Sequence, residues 1–141
     1  MSIIKGTRVL SADSLGMGAR KYAVAMYDFA LDGGAQGDLT LRGDTVPAGA
    51  IVIDALLQVD EAVTGGTNAT LSLGVGSAGN LQTATAVSGA PWSTTGPKRL
   101  TFKATSTPIQ TGADAAVIAT VGTADLTAGK FRVVVEYVEL G

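Results

Sequence analysis

Carboxylates are the side chains here whose type and spacing could do chemistry. Asp54, Asp60 and Glu61 share one stretch, and two carboxyl groups flanking a bond are the machinery of glycoside hydrolysis. In an extended chain alternate side chains share a face, so Asp54 and Asp60 fall on the same side. Six residues put them roughly 20 Å apart along a strand, far beyond the reach of a retaining pair. They read as structural acids. Asp28, Asp32, Asp38 and Asp44 sit among glycines, and a hard cation such as calcium needs several oxygen ligands. Their spacing matches no ligand loop, so solvated turn aspartates are the simpler reading and no metal site is expected. Arg42-Gly43-Asp44 is the tripeptide that integrins read. The surrounding pattern asks only for a glycine turn between two strands. Asn68-Ala69-Thr70 has the form of a glycosylation acceptor in a loop, with no signal peptide to accompany it.

Nucleophilic chemistry finds no partner. The chain has neither histidine nor cysteine, which removes the Ser-His-Asp arrangement, thiolate nucleophiles, thiolate metal sites and disulfides. A Ser-Lys or N-terminal Thr mechanism stays formally open, with nothing pointing to it. Gly74 to Gly79, GVGSAG, follows a strand but precedes neither a helix pattern nor a Lys-Ser/Thr pair, so it reads as a hairpin rather than a phosphate cradle. Trp92, the single tryptophan, lies in a punctuated and exposed-looking loop. It could stack on a sugar, but one aromatic is thin for a carbohydrate platform. A loop plug or an interface anchor fits better, and Trp92 is the candidate loop contact. The expectation is a protein without catalytic residues and without a cofactor.

Composition narrows the class. At 141 residues the chain makes one domain, long enough to bury roughly two-thirds of its unfolded surface. Hydrophobic residues at 46% with 16% charged are globular rather than disordered. Aromatics reach only 5%, so the core is built from Ala, Val, Leu and Ile. Nineteen glycines point to many turns and many short elements, an all-β signature. Net charge is −2 and the basic pairs Arg20-Lys21 and Lys98-Arg99 are isolated. A nucleic-acid binder needs a clustered positive stripe, so no nucleic-acid partner is expected. No run approaches the ~20 apolar residues of a membrane span and the N-terminus lacks a signal-like apolar region, so a soluble protein made in a cytoplasm is expected.

The elements follow from period-two patterning. Asp44 to Val63 is the strongest stretch, read as the central strand of a β-sandwich. Ile51, Ile53, Ala55, Leu57 and Val59 form its apolar face, and Val52, Asp54, Leu56, Gln58 and Asp60 the mixed one. Val46-Pro47-Ala48-Gly49 turns into it. Before it, a strand from Lys21 to about Ala30 is apolar on both faces, and Leu31 to Gly34 ends it with a turn. Asp38 to Arg42 is a short strand with Leu39 and Leu41 inward, and Gly43-Asp44 turns. After it come a loop at Thr64 to Asn68 and a strand from Ala69 with Leu71, Leu73 and Val75 on one face. Leu81 to Val87 reads as a strand or a single helical turn, and Ser88 to Pro97 as a loop. Lys98 to Thr105 places Leu100, Phe102 and Ala104 inward, and Pro108 to Asp114 is loop. Ala115 to Gly122 is apolar on both faces. Lys130 to Leu140 directs Phe131, Val133, Val135 and Tyr137 to the core, and the Ala128-Gly129 turn before it echoes Ala48-Gly49. No helix-period stretch of ten or more residues occurs. The expected fold is all-β, a single-domain β-sandwich, jelly-roll-like, with about eight antiparallel strands.

The first twenty residues differ from the rest. Ile3, Ile4, Val9, Leu10, Leu15 and Met17 are scattered without sustained period, and Gly16-Met17-Gly18 marks a junction. Residues 1–20 are an N-terminal arm or an edge strand, ahead of a sandwich domain over 21–141. As an arm, it would attach through its apolar residues, and Ile3, Ile4, Val9 and Leu10 are the candidate attachment residues.

Three phrases carry a resemblance: VPAGAIV leading into a long strand, TGGTNATLSLGVGSAGNL, and the closing LTAGKFRVVVEYVEL. The run from Tyr22 to Leu140 resembles the small jelly-roll proteins that decorate tailed-bacteriophage capsids, the head-decoration or head-fibre proteins. The resemblance implies a virion surface protein without enzymatic activity, made in the host cytoplasm. Such proteins are usually trimeric and bind outside the major capsid protein at threefold or quasi-threefold positions, so the implied partners are the major capsid protein and further copies of the chain. No membrane partner is implied. The residues alone add that strands apolar on both faces need a cover for the second face, and no helix is available to supply it. Val134 and Val138 are therefore the candidate oligomer interface. A phage tail or baseplate component, or a receptor-binding module that binds carbohydrate, is the alternative.

Overall fold

Branched and small apolar residues at every second position dictate extended chain over most of the molecule, and the glycines between them dictate how it turns. The computed structural model describes residues 19–102 and 107–139. It comprises β1 (Lys21–Asp28), the single helical turn α1 (Phe29–Asp32), β2 (Gly37–Val46), β3 (Ala50–Gly65), β4 (Thr70–Val75), β5 (Gln82–Ala86), β6 (Gly96–Arg99), β7 (Ala115–Gly122) and β8 (Leu126–Glu139). All strand pairs are antiparallel, in the order β5-β4-β7-β2-β1-β8-β3-β6. The sheet curls so that the leaf β5-β4-β7-β2 and the leaf β1-β8-β3-β6 share one core. The eight-stranded, jelly-roll-like sandwich expected from sequence is the fold. No helix among the described residues is long and apolar enough to cross a membrane.

Alternation sets the core where it runs undisturbed. Phe131, Val133, Val135 and Tyr137 on β8 are buried as their parity requires, as are Ala23, Ala25 and Tyr27 on β1 and Val117, Ala119 and Val121 on β7. The stretch Leu81 to Val87 resolves into β5, with Leu81 and Val87 buried at its ends. Tyr27 and Phe131 stack with centroids 5.1 Å apart, and Trp92 tilts onto Phe131 at 5.5 Å. These rings are the widest objects in a core of small side chains.

Bulges explain where the sequence pattern misleads. On β3 the register to β8 slips between Val52 and Asp54, leaving Ile53 as the extra residue. An inserted residue reverses which parity faces inward. Ala50 and Val52 are therefore buried on one side of the slip, and Ala55, Leu57 and Val59 on the other. Ile51 and Ile53, expected in the core, are only half-buried. β3 is interior but not central: β8 flanks it along most of its length, and β6 lies beyond it at the sheet edge.

Two expected turns are strand instead. β2 runs straight through Gly43 and Asp44: it pairs with β7 up to Thr40, with β1 at Arg42 and Gly43, and with β7 again from Thr45. Gly43 has φ +119°, and a Cβ on it would lie 2.3 Å from the Val24 carbonyl oxygen. Only glycine permits that crossing. Ala48-Gly49 is a turn, but Ala128-Gly129 lies inside β8 opposite a slipped stretch of β3, so the two sites are not equivalent. The strand expected over Lys98 to Thr105 ends as β6 at Arg99, and residues 103–106 lie outside those described.

Trp92 is a core residue, with no exposed surface, rather than an exposed loop contact. Its ring packs on Phe131 and its Nε1–H donates to Thr85 Oγ1 at 3.0 Å, so the loop before β6 plugs the end of the sandwich. Removing a buried indole forfeits its transfer energy and leaves a cavity, so Trp92→Ala is expected to lose about 3–5 kcal/mol of stability. Urea unfolding followed by circular dichroism will read this as a lower midpoint at unchanged slope.

Candidate functional site

Three apolar side chains line up across three adjacent strands on the outer side of the β1-β8-β3-β6 leaf. Val24 is opposite Val134, and Val134 is opposite Leu56, so the three form a stripe across the leaf. Leu56 is 44% exposed, and Tyr22 and Met26, on either side of Val24 along β1, are 60% and 37% exposed. Ile51 pairs with Val138 at one end of the leaf and extends the stripe, both half-buried. β8 and β3 hold the stripe rigid because each is hydrogen-bonded on both sides. Val134 and Val138, the pair expected at an interface, are thus brought onto one face with Tyr22, Val24, Met26 and Leu56. Leu56 was hidden in sequence by its neighbours Asp54 and Gln58, which made its face read as merely mixed. The signal that could have found it is cross-strand pairing, which a single strand does not display.

Charged residues border the stripe, and most of them are paired; Arg99, exposed on β6 opposite Leu56, is outside these pairs. Arg132 makes two 2.9 Å hydrogen bonds to Asp60. Arg20 lies 3.3 Å from Glu136, which also accepts a 3.0 Å hydrogen bond from the Tyr22 hydroxyl. Lys21 pairs with Glu139 at 2.8 Å at the end of the leaf, on the parity that faces the core. An apolar centre inside a polar rim is the anatomy of a protein interface. At one end a hollow of about 250 Å³ opens between Met26, Leu31, Phe131 and the Arg42 and Arg132 side chains. Leu31, in α1, is 70% exposed beside it.

The outer side of the other leaf is arranged differently. The turn after β4 folds back over the strand, so that a Cβ on Gly74 would sit 1.7 Å from the Ser77 carbonyl oxygen. Asn80 fixes the turn by bonding both the N–H and the carbonyl of Val75. GVGSAG is therefore a hairpin whose glycine admits the crossing chain. A hollow of about 580 Å³ near this turn is lined by Asn80, Thr83, Thr101, Phe102, Ile109 and Gln110, among others, with no charged group among the described residues.

The carboxylates serve structure. Asp60 holds Arg132, Asp32 holds Arg42, and Asp44 Oδ2 accepts the Val24 N–H at 3.0 Å. Both arms of Arg42-Gly43-Asp44 are thereby engaged within the chain. Among the described residues no group of three or more acids could hold a metal ion. Tyr27 donates to the Gly33 carbonyl at 2.6 Å, and burial, aided by Asp32 and Asp28, pushes its pKa up to about 12. It stays protonated. The candidate arm residues Ile3, Ile4, Val9 and Leu10 lie outside the described residues.

Comparison with known proteins adds the fold's setting. No family model and no curated protein matches the chain. Solved structures do. A chain of the acidic stable capsid structure of Helicobacter pylori bacteriophage KHP30 superposes with TM-score 0.59 at 16% identity, covering 89% of this chain and 91% of that one. A chain of the cyanophage Pam1 capsid asymmetric unit gives 0.58 at 26% identity, covering 87% and 86%. One from the capsid of Ralstonia phage GP4 gives 0.58 at 22%, with the same coverage. The fold is one that phage capsids contain.

Acid stability reports on the two arginine–carboxylate pairs. Burial raises the Asp32 pKa, but hydrogen bonds from Arg42 and the Asp28 N–H, with the Arg42 charge, outweigh it and leave the group below its ordinary value. The Arg132 hydrogen bond likewise holds Asp60 low. A carboxyl group whose folded pKa is depressed contributes stability above its unfolded value, about pH 4, and loses it as pH falls through the folded one. Arg42→Leu and Arg132→Leu are expected to flatten the decline in stability below about pH 4. Chemical denaturation at a series of pH values checks it.

Proposed function

We propose that this protein is a non-enzymatic structural component of a tailed-phage virion, bound to the outside of the capsid shell, where it decorates and reinforces the major capsid protein as a trimer. The observation that carries the reading is the likeness over nearly nine-tenths of the chain to chains of three phage capsids. The stripe of half-buried Val24 and Val134 with exposed Leu56 supports it, because a rigid apolar face rimmed by largely paired charges suits a permanent protein partner. The residues that hold most of the carboxylates tie down backbone and arginines, which leaves them to stabilise the sandwich. A carbohydrate-binding module as the alternative loses its residue, since Trp92 is enclosed in the core.

Electron microscopy of purified particles with the protein labelled tests location. Label on the head exterior is expected; label on the tail, or none on particles, overturns the reading. Light scattering of the purified protein is expected to give three times the chain mass. Val134→Asp places a charge on the stripe and is expected to lower that mass toward the single chain, with the circular dichroism spectrum unchanged. Val138→Asp, nearer the end of the leaf, is expected to act in the same direction more weakly.

A further inference from the structure

We propose that the outer face of the β1-β8-β3-β6 leaf is the seat of residues 1–18 of a neighbouring copy of this chain. The inference rests on the capsid reading in one respect: a shell holds copies side by side at fixed spacing. Everything else comes from the face, the sequence of the segment, and the place where the chain leaves the sandwich.

The face selects its occupant. Its centre is Val24, Val134 and Leu56, continued by Met26 and Tyr22 along β1 and by Ile51 and Val138 at one end. Most of its bordering charges are spent on one another, Arg132 on Asp60 and Arg20 on Glu136, which leaves, among the described residues, the single cation Arg99 opposite Leu56. Nucleic acid or a lipid headgroup needs clustered unspent cations, so this surface suits an apolar and weakly charged segment. Residues 1–18 have that character: Ile3, Ile4, Val9, Leu10, Leu15 and Met17 against Lys5, Arg8 and Asp13.

The exit selects whose segment it is. Arg20 is tied to Glu136 and Lys21 to Glu139, both on β8. These pairs hold the start of β1 against β8, at the edge of the face, so a straight continuation of β1 runs beyond the end of the sheet. Covering its own face would require the chain to reverse immediately before Arg20. Continuing costs no reversal, and eighteen residues span up to about 60 Å when extended. That exceeds twice the roughly 26 Å length of the eight-residue β1, enough to cross to an adjacent copy and lie along its leaf.

The absence of native cysteine makes the test direct. Full-length chains carrying Ile4→Cys are co-assembled with full-length chains carrying Leu56→Cys, either as the purified oligomer or on undecorated capsids, and oxidised mildly. The expected product has twice the chain mass on a non-reducing gel and contains a 4–56 disulfide by mass spectrometry. A control pairing Ile4→Cys with Asp38→Cys, on the other leaf, is expected to stay at the chain mass. The double variant Ile4→Cys with Leu56→Cys must likewise give linked chains. A 4–56 bond closed within one chain overturns the proposal, as does the lack of any 4–56 bond. Linkage of the Leu56→Cys chain to the major capsid protein, after a cysteine-directed cross-linker, also overturns it and assigns the face to the shell. Head label without the 4–56 bond leaves the capsid reading standing and removes this inference alone. A 4–56 bond in purified protein that is absent from heads does the reverse.

Discussion

The ladder between β3 and β8 is the constraint on which the rest of the molecule depends. It runs from Ala50 opposite Glu139 to Gly65 opposite Leu126, the full length of both strands. β8 brings Phe131, Val133, Val135 and Tyr137 to the core side and Val134, Glu136 and Val138 to the outer side. A pairing this long accumulates twist, and the slips at Ile53, Asp60 and Val63, where extra β3 residues are accommodated, bend and twist it further. Each slip re-aims the side chains that follow. The same backbone therefore decides both what fills the core and what is presented outside.

From that ladder the two edges of the sheet approach each other. β5 and β6 end the strand order, yet Thr83 N–H donates to Thr101 Oγ1 and Thr101 N–H to Gln82 Oε1. Trp92 adds its own bond to Thr85. The sandwich is thus sealed at the seam by side chains rather than by a backbone ladder. Edge strands left open invite pairing with other chains; here both are short, and β3 beyond β6 is shielded by Ile109, whose carbonyl accepts from Val52 N–H, and by Trp92, whose carbonyl accepts from Val63 N–H. Association through added strands is thereby discouraged.

Ion pairs on the outer face add specificity more than stability. Exposed pairs such as Arg20 with Glu136 contribute about 0–1 kcal/mol each. Pairing of most of these charges keeps the face from presenting a cluster of unspent cations, with Arg99 beside Leu56 standing apart.

The sequence by itself determined the all-β class, the alternation of β1, β7 and β8, and the absence of histidine and cysteine chemistry, because these depend only on residue type and local period. Val134 and Val138 were legible as surplus apolar residues for the same reason. Tertiary structure decided the rest. Ile53 became the odd residue of β3 only when paired against β8, so the inward face of Ile51 and Ile53 could not be read from alternation alone. Gly43 looked like a turn and proved to be a crossing point, since its steric need comes from Val24, distant in sequence. Trp92 looked exposed in a glycine- and proline-rich loop, but the gap beside Phe131 that it fills exists only after both leaves have closed. Leu56, Val24 and Val134 joined into one stripe through register, a relation between strands that no single strand carries.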